Sequence, residues 1–246
     1  SLQQTAVREI AEEAGLQVRL GLPLPRVDYR TSAGPKQVSY WCARVIAGSE
    51  DGFVANREVD TVRWLSVERA ADRLTYDHDR TLLSEFDRLR RRRGHRTRTL
   101  VVLRHGKAVA RAEFAGDALD RPLARAGTER ARGLVAILGA YGVKHVATSP
   151  ALRCTETVAP YAHAIGADLR IDDRLAEGAG RRSTSEAVAE LLDRKKPVAL
   201  CSHQPSLPTI LDAIGADPVD LSPGEGVVVH HRKGHVLATE RLRLPD

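Results

Sequence analysis

Methionine is missing from all 246 residues, so the sequence does not open on an initiator, and Ser1 is not expected to be a native start. Cysteine is scarce: Cys42, Cys154 and Cys201 lie far apart, and none falls in a C-x-x-C pair. That spacing speaks against a disulfide framework, and the expectation is three reduced thiols in a cytoplasmic protein. Long apolar runs are also absent. Nothing approaches the ~18 residues of a membrane span and no signal peptide is visible, so no membrane partner is expected. Acidic residues vanish between Arg88 and Arg98, where RLRRRRGHRTR carries seven arginines. Aromatic residues for stacking bases are absent beside that run, which counts against a nucleic-acid contact.

What is present suffices for two domains, and 42% hydrophobic residues can fill real cores. The net charge of +6 suits anionic partners without choosing among nucleotides, phosphoproteins and nucleic acid. The arginine run marks the boundary. Before it, DHDRTLLSEFDRL places Leu82, Leu83, Phe86 and Leu89 at helical spacing; after it, TLVVL reads as a short apolar strand. We expect one domain over 1–88, an arginine-rich linker over 89–98 and a second domain over 99–246. The run itself reads as a solvated linker whose cations favour a helix C-terminus.

The second segment alternates strand and helix. TLVVL, HVATS and PVALCSH read as strands; TERARGLVAILGAYGV, RCTETVAPYAHAIG, STSEAVAELLDR and SLPTILDAIG read as helices. Ser183 and Glu186 form a capping-box pair for the third helix. GVVVHH and HVLATERL form a hairpin turning at Lys233-Gly234. This rhythm predicts an α/β domain with a mostly parallel central sheet and one antiparallel hairpin. Ligands of such sheets bind outside the carboxyl ends of the strands.

Three motifs fall at those ends: Leu103-Arg104-His105-Gly106-Lys107, Thr148-Ser149-Pro150-Ala151-Leu152-Arg153 and Ser202-His203-Gln204-Pro205. In that order they resemble the histidine phosphatase superfamily, over roughly residues 98–246. The resemblance implies His105 as a nucleophile that forms a phosphohistidine, dividing one difficult displacement into two easier ones. Arg104 and Arg153 are two guanidinium forks suited to the non-bridging phosphoryl oxygens. Their charge is expected to keep His105 neutral, as attack requires. Gly106 is expected to let backbone approach the phosphate. His203 would be a second phosphate-binding histidine, and Glu177, in DDRLAEG, is the candidate acid for the leaving oxygen. Small members of the superfamily can lack that acid. No metal or other cofactor is expected in this domain. His145, His163, His230, His231 and His235 match no motif and are read as surface or packing residues.

The chain begins with a different signature. Arg8-Glu9-Ile10-Ala11-Glu12-Glu13-Ala14-Gly15-Leu16 resembles the second half of the Nudix box, G-x5-E-x7-R-E-U-x-E-E-x-G-U with U aliphatic. The earlier glutamate of the pattern would fall just before Ser1, so the chain is expected to begin inside its own motif. Glu9, Glu12 and Glu13 share one helical face, where like charges repel unless a divalent cation is present. Such oxygen ligands select Mg²⁺ or Mn²⁺. The resemblance implies that this helix holds metals bridging the substrate phosphates, with Arg8 orienting a glutamate. Gln37–Val45 and Val62–Leu65 read as strands and Val67–Leu74 as a helix. Tyr40 and Trp64 can stack a base or fill a core, the core being the expected role. Glu58 is a candidate late metal ligand. Asp77, His78 and Asp79 form a cluster that could bind metal but reads first as a solvated turn or cap.

As a whole the sequence resembles two-domain MutT-like proteins in which a Nudix hydrolase is fused to a histidine phosphatase domain. The expected fold is α/β: a Nudix α/β/α sandwich lacking its start, then a phosphatase domain with a mostly parallel sheet. The resemblance implies nucleotide substrates: oxidised guanine nucleoside triphosphates such as 8-oxo-dGTP and 8-oxo-GTP, and dinucleoside polyphosphates. Contact between the two sites, within one chain or between molecules, is a further expectation. Two other classes stay open. One is a protein phosphohistidine or phosphoserine phosphatase that uses the Nudix part as a binding module. The other is a nucleic-acid-associated protein with decayed sites.

Overall fold

Gly15 ends the first helix, and its position explains why the box carries a glycine there. Helix α1 spans Leu2–Ala14. Gly15 follows at φ +65, and its N–H donates to Ala11 O at 3.1 Å, a left-handed stop that side chains rarely adopt. The chain then enters strand β1 (Gln17–Thr31); Leu16 just before it and Val18, Leu20 and Leu22 within it are buried at every second position, the mark of one inward face. β1 pairs antiparallel with β2 (Gly34–Ala47). The register slips between Leu20 and Pro23 and again between Leu24 and Val27. Pro23 and Pro25 lie at those irregularities and have no N–H to give the ladder. Those prolines also hid β1 from the sequence reading.

The computed structural model describes residues 1–31 and 34–243, so the last three residues assigned to the second domain lie outside the described residues. It divides into two compact units, Leu2–Thr97 and Arg98 onward. Val62–Leu65 is irregular rather than a strand, and Trp64 is 63% exposed rather than in a core. The Trp64 N–H donates to the Glu50 carboxylate at 2.6 Å, a side-chain bond that replaces a ladder bond. Helix α2 (Val67–Arg73) starts at Ser66, whose Oγ accepts from Arg69 N at 3.3 Å. Helix α3 (Asp77–Arg91) opens on Asp77 and Asp79 and closes on Arg88, Arg90 and Arg91. Both charge placements oppose its dipole favourably. The helix therefore runs into the expected linker. Arg90 and Arg91 are clipped to Asp87 there.

The second unit is built on one sheet. Its elements are β3 (Arg98–Arg104), α4 (Arg125–Ala140), β4 (His145–Thr148), α5 (Leu152–Ala164) and β5 (Leu169–Ile171). Then come α6 (Arg181–Asp193), β6 (Val198–Ser202), α7 (Leu207–Ile214), β7 (Gly226–Arg232) and β8 (His235–Leu242). The strand order is β5-β4-β6-β3-β7-β8. β5, β4, β6 and β3 run parallel; β7 and β8 are antiparallel. Leu100 to Leu103 are all fully buried, so β3 is covered on both faces, which is why its sequence is a continuous apolar run. Leu100, Val102, Leu200, Val227 and Val229 form one core with α6 and α7. The hairpin turns on Lys233 (φ 52) and Gly234 (φ 82), two positive φ values as a type I′ turn demands.

One local expectation fails in this unit, and one strand went unseen. α6 begins at Arg181 with Gly180 as its cap, and Ser183 Oγ donates back to Gly180 O at 2.8 Å. Glu186 pairs with Arg182, so no capping box forms. The edge strand β5, only three residues long, gave no periodic signal.

Candidate active sites

β3, β4 and β6 are parallel neighbours, so their carboxyl ends open on the same side of the sheet. His105 N–H donates to Ser202 O at 3.1 Å and Ser149 N–H to Cys201 O at 3.0 Å, tying the three motif loops together. His105, Arg153 and His203 gather there, with Arg104 at the end of β3. The His105 and His203 rings meet edge to face, with centroids 5.4 Å apart.

His105 Nδ1 lies 2.8 Å from Gly106 O. A carbonyl only accepts, so Nδ1 carries the proton and Nε2 keeps its lone pair. Burial pushes the His105 pKa down to about 4 against the opposing Gly106 bond, with smaller contributions from His203, Arg153 and Arg104. Burial rather than arginine charge is thus the main reason the imidazole is neutral. Arg153 is buried. It donates from Nη1 to Ala118 O at 2.8 Å and from Nη2 to Glu177 Oε2 at 3.1 Å. Its Nη2 also lies 3.1 Å from His203 Nδ1. A guanidinium only donates, so that His203 nitrogen accepts, and His203 Nε2 is the donor to Ser149 Oγ at 2.7 Å. Arg104 donates to Leu221 O at 2.5 Å. The Nε atoms of Arg104 and Arg153 are buried without a partner among the described residues, an arrangement suited to an incoming anion.

Glu177 belongs to this cluster, more than half exposed, with Oε2 3.6 Å from His203 Nδ1. Gly106 has a packing part that the sequence did not suggest. A Cβ there would meet Gly127 O at 3.1 Å and Leu123 Cδ2 at 3.2 Å, so α4 demands the glycine. Gly127 is stricter: its Cβ would lie 2.1 Å from Lys107 O. Sequence reasoning gave no role to Ser149 or Thr157. Thr157 Oγ1 accepts from Gly106 N at 2.9 Å and donates to Arg153 O at 2.6 Å. Its place four residues after Arg153, on the same helical face, was the available signal.

In the first unit, Glu9, Glu12 and Glu13 lie on α1 as expected, but Arg8 engages two of them. It pairs with Glu9 and, at 2.9 Å, with Glu12. Among the described residues, no three His, Cys, Asp or Glu side chains converge as a metal cage. Glu58 sits on a loop that Asn56 binds to α1: Asn56 Nδ2 donates to Glu12 O at 3.1 Å and Glu13 O at 3.3 Å, and its Oδ1 accepts from Glu58 N and Val59 N. Asp77 pairs with Arg80 at the start of α3 and His78 stacks between Tyr29 and Tyr76, so the cluster packs, but no side chain caps the helix. Among the described residues, no helix is long and apolar enough to cross a membrane.

Residues 1–86 match the NUDIX domain, and residues 100–195 match the histidine phosphatase superfamily (branch 1). The 8-oxo-(d)GTP phosphatase of Mycolicibacterium smegmatis is 33% identical over 250 residues, spanning 98% of this chain and 76% of its own. The solved structure of the protein histidine phosphatase SixA complexed with tungstate is 19% identical, with a TM-score of 0.50 over 58% of this chain and 96% of that one. Mycobacterial hydrolase 1 is 18% identical, with a TM-score of 0.50 over 59% and 97%. At such identities the two structures speak for the fold alone. The chain belongs to the family of two-domain hydrolases in which a Nudix domain precedes a histidine phosphatase domain. Both domains are of hydrolase families that act on phosphoanhydrides and phosphoesters.

Proposed function

We propose that this chain is a nucleotide hydrolase of the MutT type, acting on oxidised guanine nucleoside triphosphates and on dinucleoside polyphosphates, in the cytoplasm. The relative that matches nearly the whole chain, an 8-oxo-(d)GTP phosphatase, supports the substrate class. In this reading the phosphatase unit removes a terminal phosphate. The observation that carries it is the His105 imidazole, neutral and with Nε2 unengaged, beside Arg153 and His203.

Arg104 and Arg153 grip the non-bridging oxygens through their partnerless Nε atoms. His105 Nε2 forms the P–N bond as the bridging P–O bond breaks, and the leaving oxygen departs as an anion or takes a proton from Glu177. Water then attacks phosphorus, the P–N bond breaks, and inorganic phosphate leaves with His105 neutral again. Arg153 shifts from Glu177 and His203 to the phosphoryl group as substrate enters, and His203 Nδ1, once it takes up a proton, donates to the same oxygens.

Nudix hydrolases generally use a divalent metal, and the donor chemistry of α1 fits one: Glu9, Glu12 and Glu13 offer only oxygen ligands at an accessible helix end. We assign Mg²⁺ or Mn²⁺ to these three. A cation held there would supply charge neutralisation for the substrate phosphates and lower the pKa of the attacking water. Glu9 and Glu12 would release Arg8 to bind it.

The test is product analysis on a panel of guanine nucleotides and dinucleoside polyphosphates, with Mg²⁺ and with chelator. Metal-dependent release of nucleotide products plus metal-independent release of orthophosphate is expected. Turnover of phosphopeptides alone, with nucleotides untouched, would favour the phosphoprotein phosphatase reading instead.

A further inference from the structure

The segment between the RHG loop and α4 forms a wall of the phosphate pocket. Val109 N–H donates to Pro122 O at 3.0 Å and Ala124 N–H to Lys107 O at 2.8 Å, so the wall folds back on the RHG loop. Its far end lies on the start of α5: Leu119 O accepts from Leu152 N at 2.7 Å, and Ala118 O accepts from Arg153 at 2.8 Å. Arg121 sits between these anchor points.

Its guanidinium is fixed rather than waving. Nη1 donates to Val109 O at 2.7 Å, and Nε is buried with no partner. Three acids, Glu113, Asp117 and Asp120, share the wall, yet Arg121 makes an ion pair with none of them among the described residues. Asp117 is occupied by Leu119 N–H at 2.8 Å. The charges around Arg121 are Arg153 and Arg111, which oppose it, and Glu177, which favours it; burial is the largest influence and lowers its pKa. A half-buried cation among cations, with an orphaned donor, is held for an anion that arrives with the substrate.

The oxygens of the transferred phosphate already have Arg104 and Arg153. We propose that Arg121 is a specificity-determining residue that grips a second phosphate, the leaving group, so that the pocket prefers the end of a phosphoanhydride chain to a phosphomonoester. The proposal rests on the phosphatase reading of this pocket. The two leaving groups need different help. An alkoxide or phenoxide must be protonated, which is the work of a carboxyl such as Glu177. A phosphate leaves as a stable anion and gains more from a fixed cation. Arg121 and Glu177 therefore mark two leaving-group chemistries on one rim.

The experiment uses the full chain in chelator, so that the Nudix centre is silent. Binding of pyrophosphate and of orthophosphate is measured by calorimetry for the wild type, Arg121→Gln and Arg121→Lys. We expect the wild type to bind pyrophosphate more tightly than orthophosphate. Arg121→Gln should weaken pyrophosphate by about 10-fold more than orthophosphate, as for loss of one charge-assisted fork. Arg121→Lys, which keeps the charge and the stem, should fall between. Metal-free kcat/KM for guanosine triphosphate relative to phenyl phosphate should drop in the same order. Equal losses for both ligands would overturn the assignment of Arg121 alone. Failure of the wild type to bind either anion would overturn the phosphatase reading beneath it.

Discussion

In the C-terminal unit the groups that would touch substrate stand at the ends of buried strands; in the N-terminal unit they stand on an accessible turn of one helix. The same contrast runs through the cores. Leu16, Val18, Leu20, Leu22 and Cys42 are the only buried hydrophobics among the described residues of the first unit, while every strand and helix of the second contributes, apart from the edge strand β5. Leu2, Ile46, Val54, Trp64 and Tyr76 are each more than half exposed in the first. Burial decides what each unit can prepare in advance. The phosphatase pocket holds a histidine neutral and two arginines partly unsatisfied before substrate arrives, and such preorganisation is the strongest electrostatic device a site has. Two of the three α1 carboxylates, Glu9 and Glu12, are exposed and paired with Arg8, so on the function proposed above their order would have to come from a cation.

The sharpest break in the comparison is His105→Ala. Removing a nucleophile should lower metal-independent phosphate release by at least ~10³-fold, with Arg153→Ala costing on the order of 10²–10³. Metal-dependent turnover should survive both, and trapped phosphoryl label on a residue other than His105 would refute the assignment. The mirror experiment is Glu12→Gln or Glu13→Gln. These should cost about 10²-fold in Mg²⁺-dependent turnover and weaken Mn²⁺ binding measured by electron paramagnetic resonance, while chelator-resistant phosphatase activity stays. Unchanged Mn²⁺ binding would remove α1 from the metal site.

The two units were not equally legible in the sequence. Arg104, His105, Arg153 and His203 follow short apolar strands, and a sheet covered on both faces leaves those strands no other reading. The parallel order and the hairpin at Lys233-Gly234 follow from the same regularity. What escaped was set by packing. The packing of Gly106 against α4 was not foreseen, and Thr157 was passed over because its partners, Gly106 and Arg153, belong to two separate motifs. In the first unit the box glycine and α1 were legible, but prolines masked β1, and Val62–Leu65 looked like a strand because nothing in its own residues reveals that Glu50 takes the Trp64 N–H.

Gly127 sharpens the contrast in stability rather than rate. Gly127→Ala forces a methyl against Lys107 O and should destabilise the C-terminal unit by roughly 2–4 kcal/mol, with loss of phosphatase activity. Gly139→Ala, on the same helix with open space around it, should instead stabilise by ~0.5–1 kcal/mol. Equal effects in thermal melts would mean that the close approach of α4 to the RHG loop does not matter.

Acid should separate the units next. Burial holds both His105 and His231 near pKa 4, below the ordinary 6.5. Between those values the unfolded chain takes up protons that the folded unit refuses, so stability rises with pH through that window and is lost on descending it. The loss in the C-terminal unit should be on the order of 1–3 kcal/mol per histidine. His231→Phe should flatten the slope of Tm against pH below 6.5. The acid limb of phosphatase activity should lie near pH 4, and a limb near 6.5 would mean that His105 is not held neutral by its surroundings.

The smallest expected effect belongs to the exposed site. Asn56 uses both its amide hydrogens and its oxygen to join the end of α1 to the loop that carries Glu58. All four bonds are exposed to water, which replaces them readily, so Asn56→Ala should cost only ~0.5–1 kcal/mol in the N-terminal unit. Its consequence for the metal site should be larger than for the fold. If the loop delivers Glu58 toward the α1 carboxylates, the substitution should raise the Mg²⁺ concentration needed for half-maximal turnover several-fold, while the melting temperature hardly moves. Asn56→Asp would keep the oxygen that holds Glu58 N–H and Val59 N–H but lose the donors to Glu12 O and Glu13 O. It should therefore behave like Asn56→Ala on metal and better than it on stability. Identical Mg²⁺ dependence in wild type and both variants would show that the loop is tied to α1 for packing alone, and Glu58 should then be dropped as a metal ligand.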